Sequence, residues 1–144
     1  MRIREFDTAD LNSDFLKLFN NPSIHTSVLT YVLRLIQFGD RRIFVAEDEN
    51  GKIVGTITVS FTRSFDDFGK PKAFLNSLKV DENHRKKGIG TNLVKRALDA
   101  AIEANATHIT LASSDINKKW YESLGFTHKY YHMVKELIWE IRII

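Results

Sequence analysis

The chain has 144 residues, of which 43% are apolar and 27% are charged, so its size and composition are those of one globular domain. It contains no cysteine, and this excludes a disulfide scaffold, a thiolate metal centre and a cysteine nucleophile. Its formal charge of +3 suits an anionic ligand but is too small to indicate a nucleic-acid-binding protein.

Apolar residues repeat with two different periods along the chain. Alternation, as in residues 53–62, predicts a strand with one buried face, and a spacing of three or four, as in residues 93–102, predicts an amphipathic helix. No linker or repeat interrupts this mixed α/β layout, so we expect one domain over residues 1–144. In chain order the patterns predict a strand at 2–6, helices at 10–20 and 24–38, strands at 42–47, 53–62 and 72–80, a helix at 90–105, a strand at 108–112, a helix at 117–124, and strands at 126–131 and 133–141.

Several classes of partner are not expected. No apolar run approaches the roughly 20 residues that a membrane-spanning helix needs, and the first residues lack the apolar stretch of a secretory signal. We therefore expect a cytoplasmic protein without a membrane partner. The basic residues are not interleaved with aromatics, so nucleic acid is not an expected partner. His128 and His132 could share a strand face, but two histidines without a carboxylate partner make a poor metal site, so no metal is expected.

Residues 78–91 are the most informative segment, because a predicted strand ends there in a basic loop that turns directly into a long predicted helix. The free amides and the dipole at a helix start favour an anion, and a pyrophosphate is a natural ligand. A solvated run of charge at an ordinary turn is the alternative, and spacing alone does not decide between the two. Two glycines leave the backbone accessible and three side chains add positive charge: Gly88, Gly90, Arg85, Lys86 and Lys87.

Two motifs together resemble those of one enzyme family. Residues 85–90, Arg-Lys-Lys-Gly-Ile-Gly, are similar to the Gln/Arg-x-x-Gly-x-Gly/Ala loop of the GCN5-related N-acetyltransferases (GNAT). Residues 117–126 resemble that family's Asn…Tyr-x-x-x-Gly-Phe motif, with Asn117 and Tyr121 in the matching positions. The resemblance covers essentially the whole chain. It implies the acyl-CoA N-acyltransferase fold, with a central, mixed, mostly antiparallel sheet of about seven strands flanked by about four helices.

The resemblance implies acetyl-CoA as the co-substrate. The loop amides and the helix start would hold its pyrophosphate, and main-chain groups of the preceding strand would pair with its pantetheine arm as with an added strand. Asn117 would touch the same arm, and its alternative role is the N-cap of the last helix. The residues implied to bind the co-substrate are Leu78, Val80, Arg85, Lys86, Lys87, Gly88, Ile89, Gly90, Thr91 and Asn117.

The resemblance also implies the chemistry. The amine attacks the acetyl thioester directly in a ternary complex, and coenzyme A leaves as a thiolate, which a phenol within hydrogen-bond reach can protonate. Tyr121 is the implied catalytic residue, with aromatic packing as its alternative role. The general base is open, since Asn76-Ser77 stands where the glucosamine-6-phosphate acetyltransferase branch carries a Glu-Asp pair. These two polar residues could order a water, and the other candidates are Ser113, Ser114, Asp115 and His132.

The acceptor and the assembly are expectations too. We expect a small-molecule primary amine as the acceptor, because the chain carries no added recognition domain; a protein or peptide amine and a non-catalytic acyl-CoA-binding module are the alternatives. In the family, the acceptor pocket would draw on residues 23–31, 63–70 and 130–132. Residues 136–144 alternate strongly and end in Ile143-Ile144, so we expect a homodimer with this strand at or near the interface.

Overall fold

The structure, a computed structural model, describes residues 1–19, 33–34, 40–131 and 133–137. The chain divides into two units, Met1–Leu111 and Ala112–Ile144. The first unit contains the sheet and the longest described helix, and the second contains one short helix. The expectation that residues 1–144 form one domain stays a prediction.

The described strands of the first unit form one five-stranded sheet. Strands β1 to β4 are antiparallel neighbours in chain order, and β5 runs parallel to β4 at the end of the sheet. This mixed, mostly antiparallel sheet confirms the predicted fold class. The strands are β1 (Arg2–Glu5), β2 (Arg41–Glu47), β3 (Ile53–Arg63), β4 (Pro71–Val80) and β5 (Ile109–Leu111).

Helices cover both faces of this sheet because successive side chains of β2 point to opposite sides. Phe44 is fully buried under Arg96 of the long helix α2 (Ile89–Glu103). Its neighbour Val45 packs with Phe15 of the short helix α1 (Ser13–Lys17) on the other face. Full burial of one such apolar side chain stabilises the fold by roughly 1.5–3 kcal/mol, so the alternation in β2 holds both layers to the sheet.

The predicted helix over residues 10–20 is shorter in the structure. A 3-10 turn, Thr8–Asp10, precedes α1, and the Asn12 side chain accepts a hydrogen bond from the Phe15 amide at 3.1 Å. That cap fixes the start of α1 after Asn12. The predicted helix over residues 24–38 lies outside the described residues except for Leu33 and Arg34, which are helical.

The closing pair of strands predicted at 126–131 and 133–141 is wrong for the residues that the structure describes. After helix α3 (Lys118–Ser123), none of the residues 126–131 and 133–137 lies in a strand, so the described sheet has five strands rather than about seven. Tyr131 and Met133 are about nine-tenths exposed. An alternating pattern shows that a segment can bury one face, but a strand also needs a neighbour with which to pair.

Candidate active site

Strand β4 extends beyond its partner β5. From residue 76 to Val80, no described strand lies on the β5 side of β4. The main-chain N–H and C=O groups of residues 76–80 on that side, here called the open edge, can therefore pair with an extended ligand as with a further strand. The parallel pairing that precedes this edge covers three positions: Ala73 with Ile109, Phe74 with Thr110, and Leu75 with Leu111.

The open edge begins at a bulge in β4. The register against β3 shifts between Thr56 and Thr58. The single β3 residue between these two threonines stands opposite two residues of β4, Ser77 and Leu78. Ser77 has a φ of 54°, a left-handed conformation that costs energy for a residue with a side chain. Bulges of this kind redirect side chains and are frequent beside active sites. Here the bulge leaves Asn76 and Ser77 exposed at the start of the open edge.

Beyond Val80 the chain enters the segment that carries the predicted anion site. A 3-10 turn, Glu82–His84, leads into residues 85–88, here called the basic loop, whose side chains are all exposed. Within the described part of the chain, no ion pair joins Arg85, Lys86 or Lys87 to an acidic side chain. Three cations that no described acidic side chain neutralises raise the positive potential at this surface, and that favours an anionic ligand.

The start of α2 gives the basic loop its accessible backbone. Gly88 occupies the N-cap position with a φ of 80°, and its carbonyl accepts the first helical hydrogen bond, from Asn92, at 3.0 Å. The first amides of a helix have no partners within it, so the amides that follow Gly88 are available to a ligand. A Cβ added at Gly88 would meet nothing within 4 Å, so the space beside this residue is open.

Close packing on the sheet fixes the start of α2. A Cβ added at Gly55 in β3 would lie 3.0 Å from Leu93 and 3.1 Å from Ile89, both on α2. A larger residue at this position would require these two side chains to move by a few tenths of an ångström, so glycine suits the close approach of α2 to β3. The sequence analysis missed this contact, and the isolated glycine inside the predicted strand was the available signal.

The second unit carries the other predicted motif on α3. Asn117 stands at the N-cap position of α3, and its carbonyl accepts a hydrogen bond from the Tyr121 amide at 3.1 Å. The Asn117 side chain makes no capping hydrogen bond and is exposed. Its position at the cap is as predicted for the alternative role, but its side chain makes no hydrogen bond with any of the described residues. Gly125, with a φ of 95°, follows the end of α3.

Tyr121 is half-buried among aromatic rings of its own unit. Its ring centroid lies 4.9 Å from that of Trp120 and 6.0 Å from that of Phe126, both in edge-on arrangements. Burial raises the pKa of the Tyr121 phenol above its ordinary value of about 10. The phenol therefore keeps its proton at neutral pH, which is the state required of a proton donor.

The predicted site residues fall into two groups. Leu78, Val80 and residues 85–91 follow one another along a continuous strand, loop and helix of the first unit. Asn117 and Tyr121 lie about one helical turn apart in the second unit. The roles assigned to these residues stay predictions.

The remaining candidates are distributed over both units. Ser113, Ser114 and Asp115 are exposed, Ser113 donates a hydrogen bond to the Ser114 carbonyl at 2.8 Å, and His132 lies outside the described residues. Of the segments expected to form the acceptor pocket, residues 23–31 lie outside the described part, and residues 63–70 connect the end of β3 to the start of β4, at the opposite end from the open edge. In the third segment, 130–132, Tyr130 and Tyr131 are exposed.

Among the described residues, no group of three or more His, Asp or Glu side chains is placed to hold a metal ion. None of the described helices is long and apolar enough to cross a membrane.

Parts of the chain are similar in sequence to known acetyltransferases. The chain is 41% identical to N-alpha-acetyltransferase 30 of Xenopus laevis over 58 residues; this alignment covers 38% of this chain and 21% of the relative. The chain is 31% identical to streptothricin acetyltransferase of Streptomyces lavendulae over 90 residues; this alignment covers 60% of this chain and 45% of the relative. The chain thus spans less than half the length of these curated relatives.

A solved structure resembles nearly the whole chain. Glucosamine-6-phosphate N-acetyltransferase from Arabidopsis thaliana superposes with a TM-score of 0.83 at 25% identity, covering 95% of this chain and 98% of that one. The sequence model of the acetyltransferase (GNAT) family matches residues 9–126, a range that includes the open edge, the basic loop and α3. The chain therefore belongs to the acetyltransferase (GNAT) family.

Proposed function

We propose that this chain transfers the acetyl group of acetyl-CoA to a primary amine. The observation that carries the proposal is that the open edge of β4 leads directly into the basic loop and the start of α2. An extended amide-bearing arm can pair with the former, and a pyrophosphate can bind at the latter. Acetyl-CoA carries both groups in one molecule.

The residues present fit this co-substrate. Main-chain groups of Leu78 and Val80 on the open edge would bond the pantetheine arm, and the amides after Gly88 would bond the pyrophosphate. The open space in front of Gly88 leaves room for the phosphates. Arg85, Lys86 and Lys87 would balance their charge, because no described acidic side chain pairs with these three residues.

The chain's own residues would then move the protons. Bound acetyl-CoA supplies an activated acetyl thioester. Tyr121, whose phenol is protonated at neutral pH, donates a proton to the departing sulfur. Asn76 and Ser77, exposed at the bulge, hold a water that accepts the proton of the attacking amine. Because the chain has no cysteine, the amine attacks the thioester directly rather than through a thiol intermediate.

A small-molecule primary amine is the proposed acceptor. The match with streptothricin acetyltransferase supports this choice, because it covers more of the chain than the match with N-alpha-acetyltransferase 30 does. A peptide amine is the second candidate, and the higher identity to N-alpha-acetyltransferase 30 favours it. An assay of coenzyme A release with polyamines, amino acids, amino sugars and peptide N-termini separates the two candidates. Binding of acetyl-CoA without turnover of any amine would identify a non-catalytic binding module instead.

Two matched glycine variants test where acetyl-CoA binds. Gly88 and Gly51 have φ angles of 80° and 78°, and a Cβ added at either would meet nothing within 4 Å. Gly88→Ala and Gly51→Ala therefore carry similar backbone strain. Only Gly88→Ala should weaken acetyl-CoA binding, by about tenfold or more, because its methyl group enters the space of the phosphates. Equal affinities in calorimetric titrations would contradict the proposed site.

The role of Tyr121 is tested by removing its hydroxyl. Tyr121→Phe keeps the ring that packs with Trp120 and Phe126, so the fold of the second unit should persist. We expect kcat to fall by about ten- to a thousandfold with little change in acetyl-CoA affinity. An unchanged kcat would leave Tyr121 with a packing role only.

We also propose that the chain forms a homodimer through residues 136–144. Residues 138–144 lie outside the described part, and Leu137 is 70% exposed. Light scattering of the full chain and of a form truncated after Leu137 tests this idea. A monomeric full chain, or a truncated form that still dimerises, would contradict it. The cytoplasmic location stays a prediction.

A further inference from the structure

A hydrogen bond between side chains closes the turn before the basic loop. The His84 Nδ1 atom lies 2.7 Å from the Asp81 Oδ2 atom, and both side chains are about three-quarters buried. Asp81 stands at the N-cap position of the turn Glu82–His84, where an aspartate commonly accepts a bond from a backbone amide. Its side chain makes no such cap here, and its carboxylate contacts the histidine ring instead.

Asp81 is in turn held by the sheet. Its amide donates to the Val54 carbonyl of β3 at 2.8 Å, and its carbonyl accepts from the His84 amide at 2.9 Å. His84 is therefore held at two points, by its backbone amide on the Asp81 carbonyl and by its ring on the Asp81 carboxylate.

The basic loop is fixed only at its ends. After His84 the chain is extended at Arg85 and left-handed at Lys86 and Gly88. Among the described residues, no side-chain hydrogen bond is made by residues 85–88, and the next anchored residue is the buried Ile89. The conformation of the loop thus depends on His84 at one end and on α2 at the other.

We infer that His84 is a positioning residue for the pyrophosphate of acetyl-CoA, acting through its bond to Asp81. The inference rests on the proposed function. An exposed loop that is held in its binding conformation binds more tightly than one that must be ordered by the ligand. A hydrogen bond to a charged group is strong enough that its loss should weaken acetyl-CoA binding by roughly ten- to a hundredfold.

Three variants of the full chain test this inference. His84→Ala removes the ring, whereas His84→Asn presents an amide N–H in place of the Nδ1 donor. His108→Ala is the matched control, since His108 is an exposed histidine whose ring contacts Thr107 at 3.0 Å beside β5. We expect His84→Ala to raise the Kd and the KM for acetyl-CoA while kcat at saturation is kept. His84→Asn should recover most of the affinity, and His108→Ala should bind as the wild type does.

The outcomes separate this inference from the proposed function. If the wild-type chain fails to bind acetyl-CoA, the proposed function and the inference are both wrong. If the wild type binds but His84→Ala binds equally well, only the inference is wrong. If His84→Ala unfolds, His84→Asn is compared with the wild type instead. A folded His84→Asn variant whose affinity for acetyl-CoA is as low as that of Gly88→Ala would contradict the positioning role of this hydrogen bond, because the variant keeps an N–H donor to Asp81.

Discussion

Two groups of arginine and lysine side chains in the first unit have opposite surroundings. In the N-terminal group, Arg4 bonds both oxygens of Asp10 at 2.7 Å and reaches Glu47 at 3.3 Å, and Arg42 contacts both Glu5 and Glu103. In the basic loop, the three cations are exposed and pair with no described acidic side chain.

Because of this difference, residues of the same chemical type have different roles in the two groups. A cation that is paired and partly buried neutralises a carboxylate of the fold, so its removal destabilises the protein, and it has little charge left for a ligand. A cation without an acidic partner contributes little to folding but raises the local potential for an anion. Substitutions in the N-terminal group should therefore change stability, whereas substitutions in the basic loop should change binding.

The largest expected effect is on binding and comes from reversing the charge of the basic loop. The triple variant Arg85→Glu, Lys86→Glu and Lys87→Glu should weaken acetyl-CoA binding by at least about a hundredfold, because three repulsive charges replace three attractive ones. Its free energy of unfolding should stay close to that of the wild type. Calorimetric titration and denaturant unfolding measure the two quantities.

A second triple variant controls for net charge. Lys52→Glu, Lys70→Glu and Lys95→Glu reverse three exposed lysines elsewhere in the first unit and produce the same change in net charge. This control should lose far less affinity than the loop variant does. Similar losses in both variants would show that overall charge, rather than the basic loop, attracts the ligand.

The next effect is on stability and comes from breaking the Arg4–Asp10 pair. Arg4→Met keeps much of the side-chain volume but leaves the Asp10 carboxylate, which is 7% exposed as a residue, without its bidentate partner. We expect the free energy of unfolding to fall by about 2–3 kcal/mol, with acetyl-CoA affinity unchanged. An Arg4→Met variant that kept its stability but lost affinity for acetyl-CoA would contradict the proposed roles of the two groups.

The smallest effect is the pH dependence of that pair. The Arg4 hydrogen bonds hold the pKa of Asp10 below its ordinary value of about 3.9, against the opposing effect of burial. The stabilisation is therefore complete above about pH 4 and is lost as the pH falls through the lowered pKa of the folded state. The difference in unfolding free energy between the wild type and Arg4→Met should shrink from pH 7 to about pH 2. A constant difference would show that Asp10 does not titrate with the pair.

The sequence alone determined the features that depend on neighbouring residues. The apolar face of α2 and the succession of strand, loop and helix at residues 78–91 were predicted correctly, because periodicity and local sequence dictate them. The family motifs were also readable, since the chemistry of anion binding requires glycine and basic residues close together in the chain.

Only the tertiary structure decided the features that depend on distant partners. The open edge exists because β5 ends at Leu111 while β4 continues to Val80, and the bulge at Ser77 arises from the register against β3. The contact of Gly55 with α2 and the anchoring of Asp81 on Val54 likewise join residues far apart in sequence. The strands predicted after Gly125 did not form in the described residues, because alternation shows which face a strand would bury but supplies no neighbour for its backbone hydrogen bonds.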